Sequence, residues 1–212
     1  MSQEIEVTLE QSSEDTDTQI QLPINCQEVG KVGSLDIRIY VWPGTLDEID
    51  RFAAADTSKE RGGVLVGRIS DHSGKINLVI DGFIIATHTD STSVSLTFTS
   101  ESWSAIHEER ASQYPESKIV GWFHTHPGYG IFLSSHDLFI HQNFFNYPWA
   151  VAYVVDPKAK TRGFFAWKAG EIVECTGFHI YDDPGQALHP ERYYRPSSQK
   201  IASSEQKSDG NG

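Results

Sequence analysis

Residues 121–137, GWFHTHPGYGIFLSSHD, constrain what this chain can fold into more than any other stretch. His124 and His126 stand two apart at the end of a run with strand character, and residues i and i+2 of a strand project from the same face. Both imidazoles can therefore reach one metal ion. Pro127 has no N–H for a sheet ladder, and with Gly128 and Gly130 it turns the chain off the strand directly after the second histidine. Asp137 falls in the first turn of the helix that follows, where a carboxylate is electrostatically favoured. The segment thus demands a strand end brought back against a helix start. Two imidazoles, one carboxylate and one open position form the ligand set of a catalytic zinc site, one Zn2+ per chain.

The rest of the pattern supplies a frame for that junction. Ile37, Ile39 and Val41 alternate with polar neighbours, the period-two signature of a half-buried strand. Thr45 and Glu48 form a capping-box signal, and Leu46, Ile49, Phe52 and Ala53 share one helical face, which predicts a helix over 45–56. Strands are expected at 63–69, 76–86, 93–98, 118–126, 149–155, 163–168 and 171–180, with further helices at 100–112 and 134–146. This is an α/β fold, a mixed sheet sandwiched by a few helices without strict βαβ alternation. At 212 residues and 38% hydrophobic, the chain holds one substantial core. The single domain is expected at 35–185. Residues 1–34 carry seven acidic residues against one Lys and are expected to form an acidic flexible leader, and 186–212, rich in Ser, Lys, Gln and Gly, a disordered tail.

Composition excludes several function classes. A formal charge of −12 with no basic stripe argues against sequence-independent nucleic-acid binding. The longest apolar run, residues 149–155, is far short of the ~20 residues of a membrane-spanning helix. The acidic start does not read as a secretory signal, and Cys26 and Cys175 form no disulfide framework. These features point to a cytoplasmic protein.

Amide hydrolysis at such a site needs a base and an oxyanion donor besides the metal. The Ser134 hydroxyl can donate to a developing charge. Ser134-x-x-Asp137 is also a plain capping box, His124 and His126 could be buried core histidines, and Glu60 could be a solvated charge after a helix. Cys175 suits a small buried hydrophobe, and Trp103, Trp122 and Trp149 suit the core. His136 and His141 suit supporting or surface roles, since a further ligand would close the position that water needs.

Glu60, then His124-Thr125-His126-Pro127, seven residues from Pro127 to Leu133, and Ser134-x-x-Asp137 together resemble the JAMM signature of catalytic MPN domains. The words GGVLVG, GWFHTHPG, FLSSHDL and AVAYVVDP are similar to those of the proteasome-lid and endosomal AMSH-type deubiquitinases, and the similarity runs over residues 37–180. The resemblance implies a cytidine-deaminase-like layout, zinc on His124, His126 and Asp137, Glu60 as general base and Ser134 as oxyanion support. Glu60 opens the segment ERGGVLVG, where Gly62 and Gly63 permit close backbone approach before a strand; the residue pattern by itself does not single it out.

As substrate the resemblance implies the C-terminal tail of ubiquitin or a ubiquitin-like protein, cut after its terminal glycine. The tail would add a strand along Ser93, Val94, Ser95 and Leu96, with Tyr129 and Phe132 on the opposite wall. The same site would serve an isopeptidase or a protease maturing a ubiquitin-like or sulfur-carrier precursor. A third reading is a non-catalytic MPN scaffold subunit. An MPN-type or conjugation-system partner is a further expectation. The chain lacks the long helical extensions of eukaryotic lid subunits, which points to a compact, stand-alone member of prokaryotic type.

Overall fold

The computed structural model describes residues 20–33, 37–72, 75–87, 90–91, 96–182 and 192–193. In chain order the strands are β1 (Cys26–Gly30), β2 (Arg38–Val41), β3 (Gly62–His72), β4 (Lys75–Ile85), β5 (Asp90–Ser91), β6 (Leu96–Thr97), β7 (Lys118–Thr125), β8 (Val151–Asp156), β9 (Thr161–Lys168), β10 (Glu171–Glu174) and β11 (Gly177–Tyr181). The helices are α1 (Pro43–Ala55), α2 (Ser100–Gln113) and α3 (Ser135–Phe144). Nine strands form one mixed sheet in the order β1-β11-β2-β4-β3-β7-β8-β9-β10, and β5 pairs with β6 apart from it. The expected α/β class, a mixed sheet between helices, is the observed one.

Alternation along the central strands sorts side chains into two cores. Leu65, Phe123, Val151, Tyr153 and Val155 face the side covered by Leu46, Ile49 and Ala53 of α1. Val64, Val66, Trp122, Ala152 and Val154 face the side covered by Trp103 and Ile106 of α2 and Ile140 of α3. Helices on both faces explain why the middle strands read as continuous apolar runs.

The sheet curls until its ends approach. Only Cys175 and Thr176 separate β10, at one edge, from β11, next to the other. Across that step Cys175 N–H donates to the Phe164 carbonyl on β9, and Lys31 N–H, just past β1, donates to the Thr176 carbonyl. The single strand expected over 171–180 is thus two strands. Periodicity runs through the break because apolar positions continue on both sides of it.

Other boundaries differ for identifiable reasons. Residues 26–30, assigned from their acidity to the leader, pair antiparallel with β11, and Val29 is buried. A five-residue strand is too short for its alternation to rise above a polar leader. Likewise Tyr193, assigned to the disordered tail, is buried in the α1-side core, its hydroxyl donating to Asp47 Oδ1. Helix α1 begins at Pro43 rather than Thr45, and its N-terminus carries no side-chain cap. Proline at the first helical position, with φ already near −65°, starts the helix instead of the Thr45–Glu48 box. Of the strand expected at 93–98, residues 96–97 pair with β5; Ser93, Val94 and Ser95 lie outside the described residues. Among the described residues no helix is long and apolar enough to cross a membrane.

Close strand packing depends on two glycines. A Cβ at Gly63 on β3 would stand 2.0 Å from the Ile84 carbonyl oxygen, and one at Gly121 on β7 would stand 2.1 Å from that of Val151. Gly63→Ala should therefore destabilise the fold by about 1–3 kcal/mol, the usual cost of overpacking. Urea unfolding checks this, and an unchanged midpoint would show that the strands can part without loss.

Candidate metal centre

Three elements meet at the carboxyl end of β7. Gly62 on β3 is paired with His124, and Arg61 exchanges two hydrogen bonds with Thr125: Thr125 N–H donates to the Arg61 carbonyl at 2.8 Å, and Arg61 N–H to Thr125 Oγ1 at 3.0 Å. These bonds fix Glu60, one residue earlier, beside His126. On the other side β8 runs parallel to β7, and His126 N–H donates to the Val155 carbonyl. Positive φ angles of 94° at Gly128 and 84° at Gly130 then bring the chain round to α3.

Helix α3 starts as its sequence predicts. Asp137 N–H donates to Ser134 Oγ at 3.2 Å, and Ser134 N–H donates to Asp137 Oδ2 at 2.7 Å, a complete capping box. The box does not exclude the other reading of Asp137. Its second oxygen, Oδ1, lies 3.4 Å from His124 Nε2. Ser134 Oγ accepts from the backbone and keeps its own proton free to donate.

The ring nitrogens converge. His124 Nε2 and His126 Nε2 are 3.0 Å apart, and His126 Nε2 lies 3.6 Å from Asp137 Oδ2 and 3.7 Å from Glu60 Oε1. His124, His126, Asp137 and Glu60 are each no more than 4% exposed. His126 is oriented by Nδ1, which faces the Gly130 carbonyl at 3.1 Å. A proton on Nδ1 leaves the Nε2 lone pair aimed into the cluster.

His124, His126 and Asp137 form a group whose ligand atoms can hold a metal ion. Four ligands at ~2.0–2.1 Å around a tetrahedral zinc stand about 3.3 Å apart; here the two Nε2 atoms are 3.0 Å apart, and Asp137 places Oδ1 3.4 Å from His124 Nε2 and Oδ2 3.6 Å from His126 Nε2. Charge balance points the same way. Among the described residues the ion-pair partners of the buried Glu60 and Asp137 carboxylates are the two histidines, with no Lys or Arg. Two buried carboxylates beside two buried imidazoles, with burial holding His124 below its usual range, fit a divalent cation.

Electrostatics separate the two acids. Burial pushes the Glu60 carboxyl up to about 7, and the nearby Asp137 charge adds to this against the opposing effect of His126. Its Oε2 has no hydrogen-bond partner among the described residues. For Asp137 burial acts in the same direction, but hydrogen bonds with His124, His126 and Ser134 outweigh it and hold the group well below the usual carboxylate range. Burial lowers His124 and brings His141 down to about 4.

Of the expected substrate contacts, Tyr129 and Phe132 are 50% and 44% exposed beside the cluster, and the Phe132 ring lies 4.7 Å from that of His126. Leu96 sits in the β5–β6 pair. Two features escaped the sequence reading. Asp156, 1% exposed at the end of β8, accepts from Gly128 N–H, Gly130 N–H, Lys158 N–H and Ala159 N–H, all at 2.9–3.0 Å. It anchors the loop that supplies the Gly130 carbonyl to His126. An aspartate closing a buried apolar run is the signal that could have found it, since such a carboxylate requires donors. The other is the contact of Trp122 with His124 and His141, with ring centroids of Trp122 and His124 4.5 Å apart.

A curled mixed sheet with a His-His-Asp group at the end of a central strand defines an MPN-type domain, and the comparisons agree. Residues 39–148 match the family described as JAB1/Mov34/MPN/PAD-1 ubiquitin protease. The 26S proteasome regulatory subunit rpn11 of Schizosaccharomyces pombe is 38% identical over 69 residues, 32% of this chain and 22% of the relative. COP9 signalosome complex subunit 5 of Caenorhabditis elegans is 33% identical over 99 residues, 45% of this chain and 26% of the relative. AMSH-like ubiquitin thioesterase 1 of Arabidopsis thaliana is 27% identical over 159 residues, 70% of this chain and 30% of the relative. The chain thus aligns with less than a third of each of these proteins. Among solved structures, protein DSY2949 of Desulfitobacterium hafniense superposes with a TM-score of 0.50 at 16% identity, covering 74% of this chain and 99% of that one, a likeness of fold. The chain belongs to the JAB/MPN family. Members of the JAMM type use zinc, and the family also includes non-catalytic members.

Glu60 gives a signed pH prediction for the metal-free protein. A carboxyl raised from 4.5 to about 7 on folding keeps its proton longer in the folded state, so its ionisation erodes stability as pH rises between those values and costs a constant amount above. The stability of metal-free Glu60→Gln relative to the parent should therefore climb across that window and then level off. Denaturant unfolding in chelator at several pH values reads it; a difference independent of pH would mean that Glu60 titrates as an ordinary surface carboxyl.

Proposed function

We propose that the chain is a zinc-dependent isopeptidase or peptidase that hydrolyses the amide bond after the C-terminal glycine of ubiquitin or a ubiquitin-like protein. The observation that carries this reading is the convergence of His124, His126 and Asp137 on one point, with the buried Glu60 carboxylate beside His126 and its Oε2 without a hydrogen-bond partner among the described residues. When bound there, zinc supplies Lewis acidity that lowers the pKa of a water toward ~7. Glu60, held near neutral pKa, takes the proton of the attacking water as its oxygen adds to the carbonyl carbon. It then delivers that proton to the amine nitrogen as the C–N bond breaks, so acid and base are one group. Ser134 Oγ donates to the developing oxyanion.

Tyr129 and Phe132 would form an apolar wall for the substrate tail, and Ser93, Val94, Ser95 and Leu96 are the residues proposed to pair with it. The same site would mature a ubiquitin-like or sulfur-carrier precursor by the same chemistry. Retention of all five polar residues in one cluster favours an enzyme over a scaffold subunit. Cys26 and Cys175 are free thiols, which supports a reducing, cytoplasmic setting.

Glu60→Gln should lower turnover of a ubiquitin or ubiquitin-like C-terminal fusion by ~10²–10⁴-fold with zinc content unchanged. Asp137→Ala should lose both zinc and activity. Full activity in Glu60→Gln would remove it as the base, and full zinc in Asp137→Ala would break the ligand assignment.

A further inference from the structure

We propose that His141 and Trp122 act as positioning residues for the His124 ligand, through a stack rather than through a hydrogen bond to the ring. This rests on the reading of the cluster as a zinc site. A metal-bound histidine is ordinarily oriented by its other ring nitrogen, which donates to a carbonyl or carboxylate. His126 follows that rule through the Gly130 carbonyl. His124 does not: its Nδ1 is buried and has no hydrogen-bond partner among the described residues.

The Trp122 indole takes over that function. Its ring lies flat on the His124 imidazole, with centroids 4.5 Å apart and planes 12° from parallel. An indole free to rotate would hold nothing, but Trp122 Nε1–H donates to His141 Nδ1 at 3.1 Å. Indole N–H is only a donor, so this nitrogen of His141 carries a lone pair. His141 is itself held between the rings of Phe145, 6.2 Å away, and Trp167, 5.5 Å away. All three members, Trp122, His124 and His141, are 0% exposed.

The placement of His141 gives the contact its consequence. It stands four residues after Asp137 on α3, on the same helical face. One helix therefore delivers the carboxylate ligand and, one turn later, the acceptor that fixes the platform under the imidazole ligand. The clasp sets the His124 ring relative to Asp137, with Nε2 and Oδ1 3.4 Å apart. His141 touches neither substrate nor reacting atoms.

The test measures zinc affinity by competition with a chromophoric chelator, the visible spectrum of the Co2+-loaded protein, and the melting temperature of the metal-free protein. The parent is measured first. His141→Gln, whose side-chain carbonyl can accept from the indole, should keep an affinity and Co2+ spectrum close to the parent's. His141→Leu and Trp122→Phe should each weaken zinc binding by about 10- to 100-fold, the usual effect of removing a group that orients a ligand. Both should also shift the Co2+ bands. Trp122→Phe keeps an aromatic ring on His124 and removes the donor, so it decides the matter if His141→Leu does not fold. Parent-like affinity and spectrum in Trp122→Phe would overturn the proposal. So would an equal loss in His141→Gln and His141→Leu, or a loss that only tracks a lower melting temperature of the metal-free protein. A parent that binds no zinc would overturn the metal reading itself, an outcome distinct from these.

Discussion

Two imidazole nitrogens held 3.0 Å apart in a fully buried setting are the contact on which the rest of the site depends. At that distance the two Nε2 atoms cannot both carry a proton, and burial resists charging the His124 ring. A cation held between their lone pairs would fit this arrangement, and the carboxylates of Asp137 and Glu60 would supply the charge that makes its burial acceptable.

The fold exists around that contact in a specific sense. Strand β7 is clamped between β3 and β8, so its last residues cannot fray, and the histidines inherit the rigidity of a central strand. Gly121 lets β8 approach β7 closely because it carries no side chain, and Gly63 does the same between β3 and β4. Past the strand, Asp156 gathers four backbone N–H groups and fixes the turn through Gly128 and Gly130. That turn orients His126 and aims the chain at α3. Rigid placement on strand and helix ends, with a loop itself pinned by a buried carboxylate, is the support that a metal site needs to keep its geometry.

The strand–turn–helix junction was legible in sequence because its signals are local and strong: same-face histidines, a proline and two glycines, and a capping box. Glu60 was not legible that way. It lies 64 residues before His124, and only strand pairing makes the two neighbours, so the family resemblance had to supply it. Trp122 was read as core, which is correct and incomplete, since the same ring that fills the core also lies on His124. Burial patterns report that a side chain is inside, not what it touches there. Strand β1 and Tyr193 were hidden for a related reason. Both are short apolar additions to polar stretches, stabilised by contacts with β11 and α1 that no local pattern records.

Family membership does not itself load the site, since members differ in whether they are catalytic. The most direct measurement is X-ray anomalous scattering at the zinc edge from crystals grown with zinc. The account predicts one strong peak per chain, ~2.0–2.1 Å from Nε2 of His124, Nε2 of His126 and one oxygen of Asp137. No peak at that point, or imidazoles turned away from each other with zinc present, would contradict it.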